Sequence, residues 1–378
     1  MPGIAKRKYD SETAKLSKSL TRPLKLVVKT LKPGYSERDL LDAFKYYYPY
    51  EWNIICERYR VYKGKDEFLV KKGKKKRYNP QKPEVYFYAL PKVKNMLSAG
   101  FRKKHELQYD ERQRVVDEKV LNSNRSKKIA KKRKRIESYT RMQQKVDPGF
   151  IDALAYAYHD RGISVNEKKE ICKEILKYDC DKTWEFFWKL NDSERNYQIR
   201  NFAFQSLQKS GHYVKLRKKY SGKQKQYMIE ESTFEGTPES LANKLKDNAS
   251  VQRIKKYDVF ISHSYADKTI VTNIVREINN CGLNCYVDWT ADNDFLKRSL
   301  VSGYTKEVLK ERMRQSKRLL YLSSANSRQS PWVDFELQYY QKEVQNEILM
   351  IVLDGEDAHS YRKIEQSEIC KVFHDDKK

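Results

Sequence analysis

The stretch Tyr257-Asp258-Val259-Phe260-Ile261-Ser262-His263-Ser264 decides the fold of the C-terminal third of this 378-residue chain. A short apolar strand opens there directly onto small hydroxyl and imidazole side chains. Outward from it, helix and strand signals alternate: helix 269–280, strand 285–287, helix 304–315, strand 318–323, helix 332–342 and strand 348–353. Such alternation, with near-continuous apolar strands, argues an α/β parallel sheet covered on both faces by helices. In these sheets ligands bind beyond the carboxyl ends of the strands, where the strand order reverses. The polar residues gather at that edge. Ser262, His263 and Ser264 follow the first strand, Asp288 and Trp289 the second, Ser323 and Ser324 the third, and Glu336 lies one turn into the next helix. On spacing alone this is a site for a small polar ligand, with its chemistry open.

Three motifs, taken in order, resemble the Toll/interleukin-1 receptor (TIR) domain family. The first is Tyr257 to Ser264 with Ala266-Asp267-Lys268, and the second is Val287-Asp288-Trp289 leading into an acidic loop. The third is Ser323-Ser324 followed by Ser330-Pro331-Trp332-Val333-Asp334-Phe335-Glu336, with Trp332 and Glu336 four apart on one helical face. The resemblance covers about residues 255–355 and implies a flavodoxin-like sheet. Only 25 residues follow Leu353, so the last helix and fifth strand are expected to be short or absent.

The resemblance also implies an activity, cleavage of NAD+ as substrate with no separate cofactor. In that reading Glu336 contacts the ribose attached to nicotinamide and stabilises the positive charge that grows as the glycosidic bond breaks, which is what a carboxylate suits. Trp332 or Trp289 would stack on a flat ring of the dinucleotide, and Phe260 with Ser262 would line the floor. Asp288 either ends its strand or binds ribose. His263 has no partner carboxylate in the sequence to make it an acid or base. In the family, the loop that holds Asp292, Asp294, Lys297 and Arg298 packs on a neighbouring protomer, which implies self-association and activity on assembly; the same mixed charge also suits a solvated loop. Bacterial members of this appearance are typically enzymes or signal generators in antiviral defence. Two other readings stay open: a non-enzymatic signalling scaffold in which Glu336 is an ordinary helix carboxylate, and a nucleic-acid-binding regulator with a vestigial TIR domain. The product of cleavage is left open as well.

Charge separates the rest of the chain from this module. Residues 1–250 hold 58 Lys plus Arg against 32 Asp plus Glu, while residues 251–378 hold 20 against 19. A positive field confined to one part favours nucleic acid, an anionic bilayer or an acidic protein as partner, unless it is only a solvated Lys-rich surface. The 20 tyrosines among those 58 cations are the mixture expected of a nucleic-acid surface. The candidate contacts are Lys74, Lys75, Lys76 and Arg77, then Lys131, Lys132, Arg133, Lys134 and Arg135, then Lys218 and Lys219. The expected organisation is a loose basic arm at 1–35, a basic and mainly helical region at 36–247, a linker at 248–256 and the TIR module at 257–378. Within the helical region, Ser36 with Asp39 makes a capping box, Phe68 to Arg77 suggests a basic hairpin, Asp192 or Ser193 would cap a helix through Leu207, and 213–229 has the order of a winged-helix wing.

Six scattered cysteines lack ligand or framework spacing and read as reduced thiols, with no zinc site. The amino terminus lacks a signal-peptide core and no apolar run is long enough to span a bilayer, so the expectation is a cytoplasmic protein with no membrane partner.

Overall fold

The structure is a computed structural model and describes residues 3–160, 162–214, 237–246, 251–292, 296 and 303–374. They fall into two compact units, one drawn from Met1–Tyr139 with Leu207–Leu216 and one from Thr140–Ser206 with Arg217–Lys378. The division lies elsewhere than at 248–256, because residues 140–206 belong with the sheet.

The first unit is helical: α1 Ile4–Val28, α2 Glu37–Tyr47, α3 Pro49–Lys71, α4 Pro83–Ala89, α5 Pro91–Leu97, α6 Ala99–Leu107 and α7 Glu111–Thr140. Residues 1–35 are not a loose arm. Leu20, Leu24 and Val27 recur on one face of α1 and are buried with Leu40 and Phe44 of α2 and Phe87 of α4. The Ser36 capping box forms as expected, its hydroxyl accepting from the Asp39 N–H while the Asp39 carboxylate accepts from the Ser36 N–H. The hairpin expected near Phe68 is absent from these residues. Phe68 and Val70 are exposed on the last turns of α3, where no second strand is available to pair with three apolar residues, and Gly73 with φ 67° ends the helix. Gly211 also stops a helix, at φ 86°, and a Cβ there would sit 2.6 Å from Ile136 Cδ1. Residues 215–236, which include Lys218, Lys219 and most of the expected wing, lie outside the described residues.

In the second unit α8 Ile151–Ala157, α9 Val165–Leu176, α10 Asp181–Ser193, α11 Tyr197–Lys209 as far as Ser206, α12 Pro238–Lys246 and α13 Val251–Ile254 precede the sheet. The aromatic run on α10 packs inward through Trp184, Phe186 and Phe187. Asn196 caps α11, its side chain accepting from the N–H groups of Gln198 and Ile199, whereas Asp192 and Ser193 belong to the end of α10.

The sheet follows as β1 Tyr257–Ser262, α14 Lys268–Asn280, β2 Cys285–Tyr286, α15 Asp288–Ala291, α16 Gly303–Arg314, β3 Ser316–Ser323, α17 Pro331–Tyr339, β4 Ile348–Val352, β5 Arg362–Lys363 and α18 Ile369–His374. All strand pairs are parallel, in the order β2-β1-β3-β4-β5. That is the flavodoxin-like order, with its reversal between β1 and β3. Within β1 the side chains alternate, Val259 and Ile261 packing against α14 and Phe260 between them against α16 and α17, while Tyr257 at the start of the strand joins the second cluster. β5 and α18 are both short, of two and six residues. Cys370 of α18 is joined to Cys281 at the end of α14 by a disulfide with Cα atoms 5.4 Å apart, which corrects the reading of six reduced thiols. These two residues are 89 apart in sequence, and only the fold brings them together.

Two features tie residues 140–206 to the sheet. Gln144 covers the β2 edge with its side-chain amide, donating to the Cys285 carbonyl at 2.7 Å and accepting from the Cys285 N–H at 2.9 Å. Glu174 of α9 pairs with Lys255 at 2.9 Å, and both are buried. Gln252 and Lys255, placed by the sequence in a linker, are therefore interior residues.

Candidate active site

The site forms where β1 ends and α17 begins. Ser330 caps α17 through a bond from the Val333 N–H, and Pro331 supplies the first helical residue. Trp332 and Glu336 then lie one turn apart on the same face. Ser262, the last residue of β1, is fully buried, and its hydroxyl donates to Glu336 Oε2 at 2.6 Å. Glu336 is 8% exposed. Burial raises its pKa to about 8, the negative charge of Asp288 pushes in the same direction, and the Ser262 hydrogen bond opposes both.

Glu336 lines a cavity of about 390 Å³ together with Phe260, His263, Asp288, Trp289 and Trp332. Of the residues assigned to NAD+ from the sequence, Phe260, His263, Asp288, Trp289, Trp332 and Glu336 thus line one cavity, and Ser262 stands behind Glu336 and holds it. Ser323 and Ser324 are occupied elsewhere, donating to Asp357 and Asp267.

The geometry answers what partners His263. Its Nε2 accepts from the Trp289 indole N–H at 2.9 Å, and its Nδ1 lies 2.9 Å from the Ile261 carbonyl. An indole nitrogen only donates, so the ring proton sits on Nδ1 and both nitrogens are used. Asp288 Oδ1 is 3.8 Å from Nε2. The imidazole orients Trp289, which faces the cavity, and Lys268 Nζ lies 4.8 Å from the centroid of that indole.

A buried charge network backs the opposite wall. Phe260 and Tyr286 stack with centroids 5.0 Å apart, and the Tyr286 hydroxyl donates to Asp292 Oδ2 at 3.1 Å. Arg312 grips both oxygens of Asp292, from Nε at 2.8 Å and from the terminal nitrogen at 3.0 Å. Lys255 bridges Asp292 to Glu174, at 3.3 and 2.9 Å. Asp292 is fully buried and paired within its own chain, and so is not the loop-surface residue suggested by the sequence. Asp294, Lys297 and Arg298 lie outside the described residues. Tyr286 was missed because it reads as one more apolar strand residue; its only signal was the aspartate six positions on.

In the first unit, Lys74, Lys75, Lys76 and Arg77 are exposed beyond α3, and Lys131, Lys132, Arg133, Lys134 and Arg135 are exposed along α7. Lys132 Nζ lies 4.2 Å from the Tyr50 ring centroid.

Comparison with known proteins agrees with this geometry. The TIR domain family matches residues 259–377. A putative cyclic ADP-D-ribose synthase TIR2 from Cytobacillus dafuensis is 48% identical over 339 residues, 90% of this chain and 89% of that protein. The chain belongs to the TIR domain family. A probable 3′ cyclic ADP-D-ribose synthase ThsB′ from Bacillus cereus (strain MSX-D12) is 37% identical over 107 residues, 28% of this TIR protein and 55% of that one. No solved structure matches. The family match begins inside β1, so it covers the residues that line the cavity and leaves the first unit without a family. Among the described residues no helix is long and apolar enough to cross a membrane.

Proposed function

We propose that this TIR protein breaks the bond between nicotinamide and ribose in NAD+ and closes the ADP-ribosyl fragment on itself to a cyclic ADP-ribose. The observation that carries the reading is the buried Glu336, its carboxyl held by Ser262 at the carboxyl end of β1, among the residues of a ring-walled cavity. When the glycosidic bond breaks, its electron pair leaves with the nicotinamide nitrogen, which becomes neutral and needs no acid. The ribosyl carbon becomes cationic, and an adjacent carboxylate away from bulk water stabilises that charge more strongly than it would in water. The cation of the bound nicotinamide also favours the ionised form of Glu336 before the bond breaks. Trp289 and Trp332 offer flat faces for the rings of the dinucleotide.

Capture of the ribosyl carbon by a nucleophile of the same molecule yields the cyclic product and releases one proton, whereas water would yield ADP-ribose. The names of the two relatives favour cyclisation. In the same reading, the cations of the first unit gather the protein on nucleic acid and so bring TIR units together, switching on a defence response by multivalent attachment. The test is mass analysis after the full-length protein is incubated with NAD+, with and without DNA or RNA. Nicotinamide together with a cyclic ADP-ribose, in greater yield with nucleic acid, is the expected outcome. Intact NAD+ under every condition would contradict the activity, and a yield indifferent to nucleic acid would contradict the trigger.

A further inference from the structure

We propose that the first unit binds a nucleoside monophosphate, free or as the terminal residue of a single strand, in a second cavity that no family match covers. This inference does not rest on the NAD+ reading. The cavity measures about 460 Å³, lies between α1, α3 and the segment 78–81, and is of a size to hold one small ligand. Tyr9, Tyr59, Tyr78 and Tyr86 bring rings to it, and Lys6 and Arg58 bring cations. Its carboxylate is Asp10, 3.5 Å from Lys6. Such a lining takes a ligand that is flat at one end and anionic at the other, the base meeting a ring and the phosphate a cation.

Arg58 is the second observation. It is 5% exposed, with its guanidinium carbon 4.5 Å from the Tyr9 centroid and 5.2 Å from that of Tyr62. One terminal nitrogen donates to the Tyr9 carbonyl and the Thr13 hydroxyl, while Nε has no hydrogen-bond partner among the described residues. The buried guanidinium places a fixed positive charge at the cavity wall, and an anion in the cavity would meet that charge away from bulk water. The lining segment is also fixed in place. Asp66, itself buried, accepts from the N–H groups of Arg77, Tyr78 and Asn79, at 2.8, 2.9 and 2.6 Å. Asn79 turns the chain at φ 49°, a left-handed conformation that asparagine tolerates. The run Lys74-Lys75-Lys76-Arg77 leads directly into this segment, where it would meet the next phosphates of a strand. Residues 1–139 carry 38 Lys plus Arg against 16 Asp plus Glu, so the surrounding field draws anions in.

The experiment is calorimetric titration of the full-length protein with 5′-AMP, with adenosine, and with a short oligonucleotide with and without a 5′-phosphate. AMP is expected to saturate one site and adenosine to bind at least about tenfold more weakly, since it lacks the charge-assisted bonds. Tyr59→Ala and Lys6→Ala, both at partly exposed positions, should each weaken AMP about tenfold or more. Trp332→Ala, in the other cavity, should leave that site intact. Binding of the phosphorylated oligonucleotide alone, lost in Tyr59→Ala, would assign the source as a strand end and support the proposal. Absence of binding by every probe, equal affinity for adenosine and AMP, or affinity unchanged in both Tyr59→Ala and Lys6→Ala would overturn it.

Discussion

Replacing Ser262 by alanine should change the pH dependence of turnover more than its upper limit. The Ser262 hydroxyl gives Glu336 a 2.6 Å hydrogen bond and opposes the burial that raises the glutamate to about 8. A hydrogen bond to a charged acceptor is worth about 1.5–3 kcal/mol, which corresponds to about one to two pH units. In the free enzyme at pH 7, a group with a pKa of about 8 is ionised in roughly one molecule in ten. Ser262→Ala should lower that fraction by a further factor of about ten to a hundred. Because kcat/KM follows the ionisation of the free enzyme, it should fall by that factor at pH 7. The deficit should then narrow as the pH rises and the variant's carboxyl ionises. Initial rates of nicotinamide release between pH 6 and 9.5 would show an acidic limb displaced to higher pH in the variant. A limb at the same pH in both proteins, or a loss of equal size throughout, would refute the role given to this hydrogen bond.

The same burial bears on stability. Between pH 4.5 and about 8 the unfolded chain has released the Glu336 proton and the native state has kept it, so stability falls as the pH rises through that window. Thermal melts of Glu336→Gln should lack this slope, and the variant should gain on the wild type by up to about 1.4 kcal/mol for each pH unit climbed within the window, the gain levelling off above it. Arg312→Met should cost about 3–5 kcal/mol in urea unfolding, because it takes the bidentate partner from a buried Asp292, and it should lower turnover through Tyr286. Gln144→Ala should cost about 1–3 kcal/mol by the same measurement, since it strips the Cys285 N–H and carbonyl of their partner at the sheet edge.

The sheet was legible because its strands are unbroken apolar runs with helical spacing between them, and strand order followed from the family those motifs resemble. The cavity residues were legible for a related reason: in a sheet of this order, whatever follows the strands converges on one edge. The contacts that set their chemistry were not. Ser262 and Glu336 are 74 residues apart, and His263 is satisfied by the indole of Trp289, 26 positions away, with no carboxylate needed. The helical half is less legible. In α1 a narrow stripe of Leu20, Leu24 and Val27 is hidden among lysines, so a packed helix looked like a loose arm. Lys255 looked like linker because a charged residue is assumed to be solvated, and its partners Glu174 and Asp292 lie 81 and 37 positions away.

The central claim is that the negative charge of Glu336 breaks the bond, and Glu336→Gln tests it most directly because the amide keeps the shape and loses the charge. With NAD+ supplied to both proteins at equal concentration, nicotinamide release by the variant should fall at least about a thousandfold, with its melting profile showing a folded protein. Release by the folded variant at the wild-type rate would contradict the account.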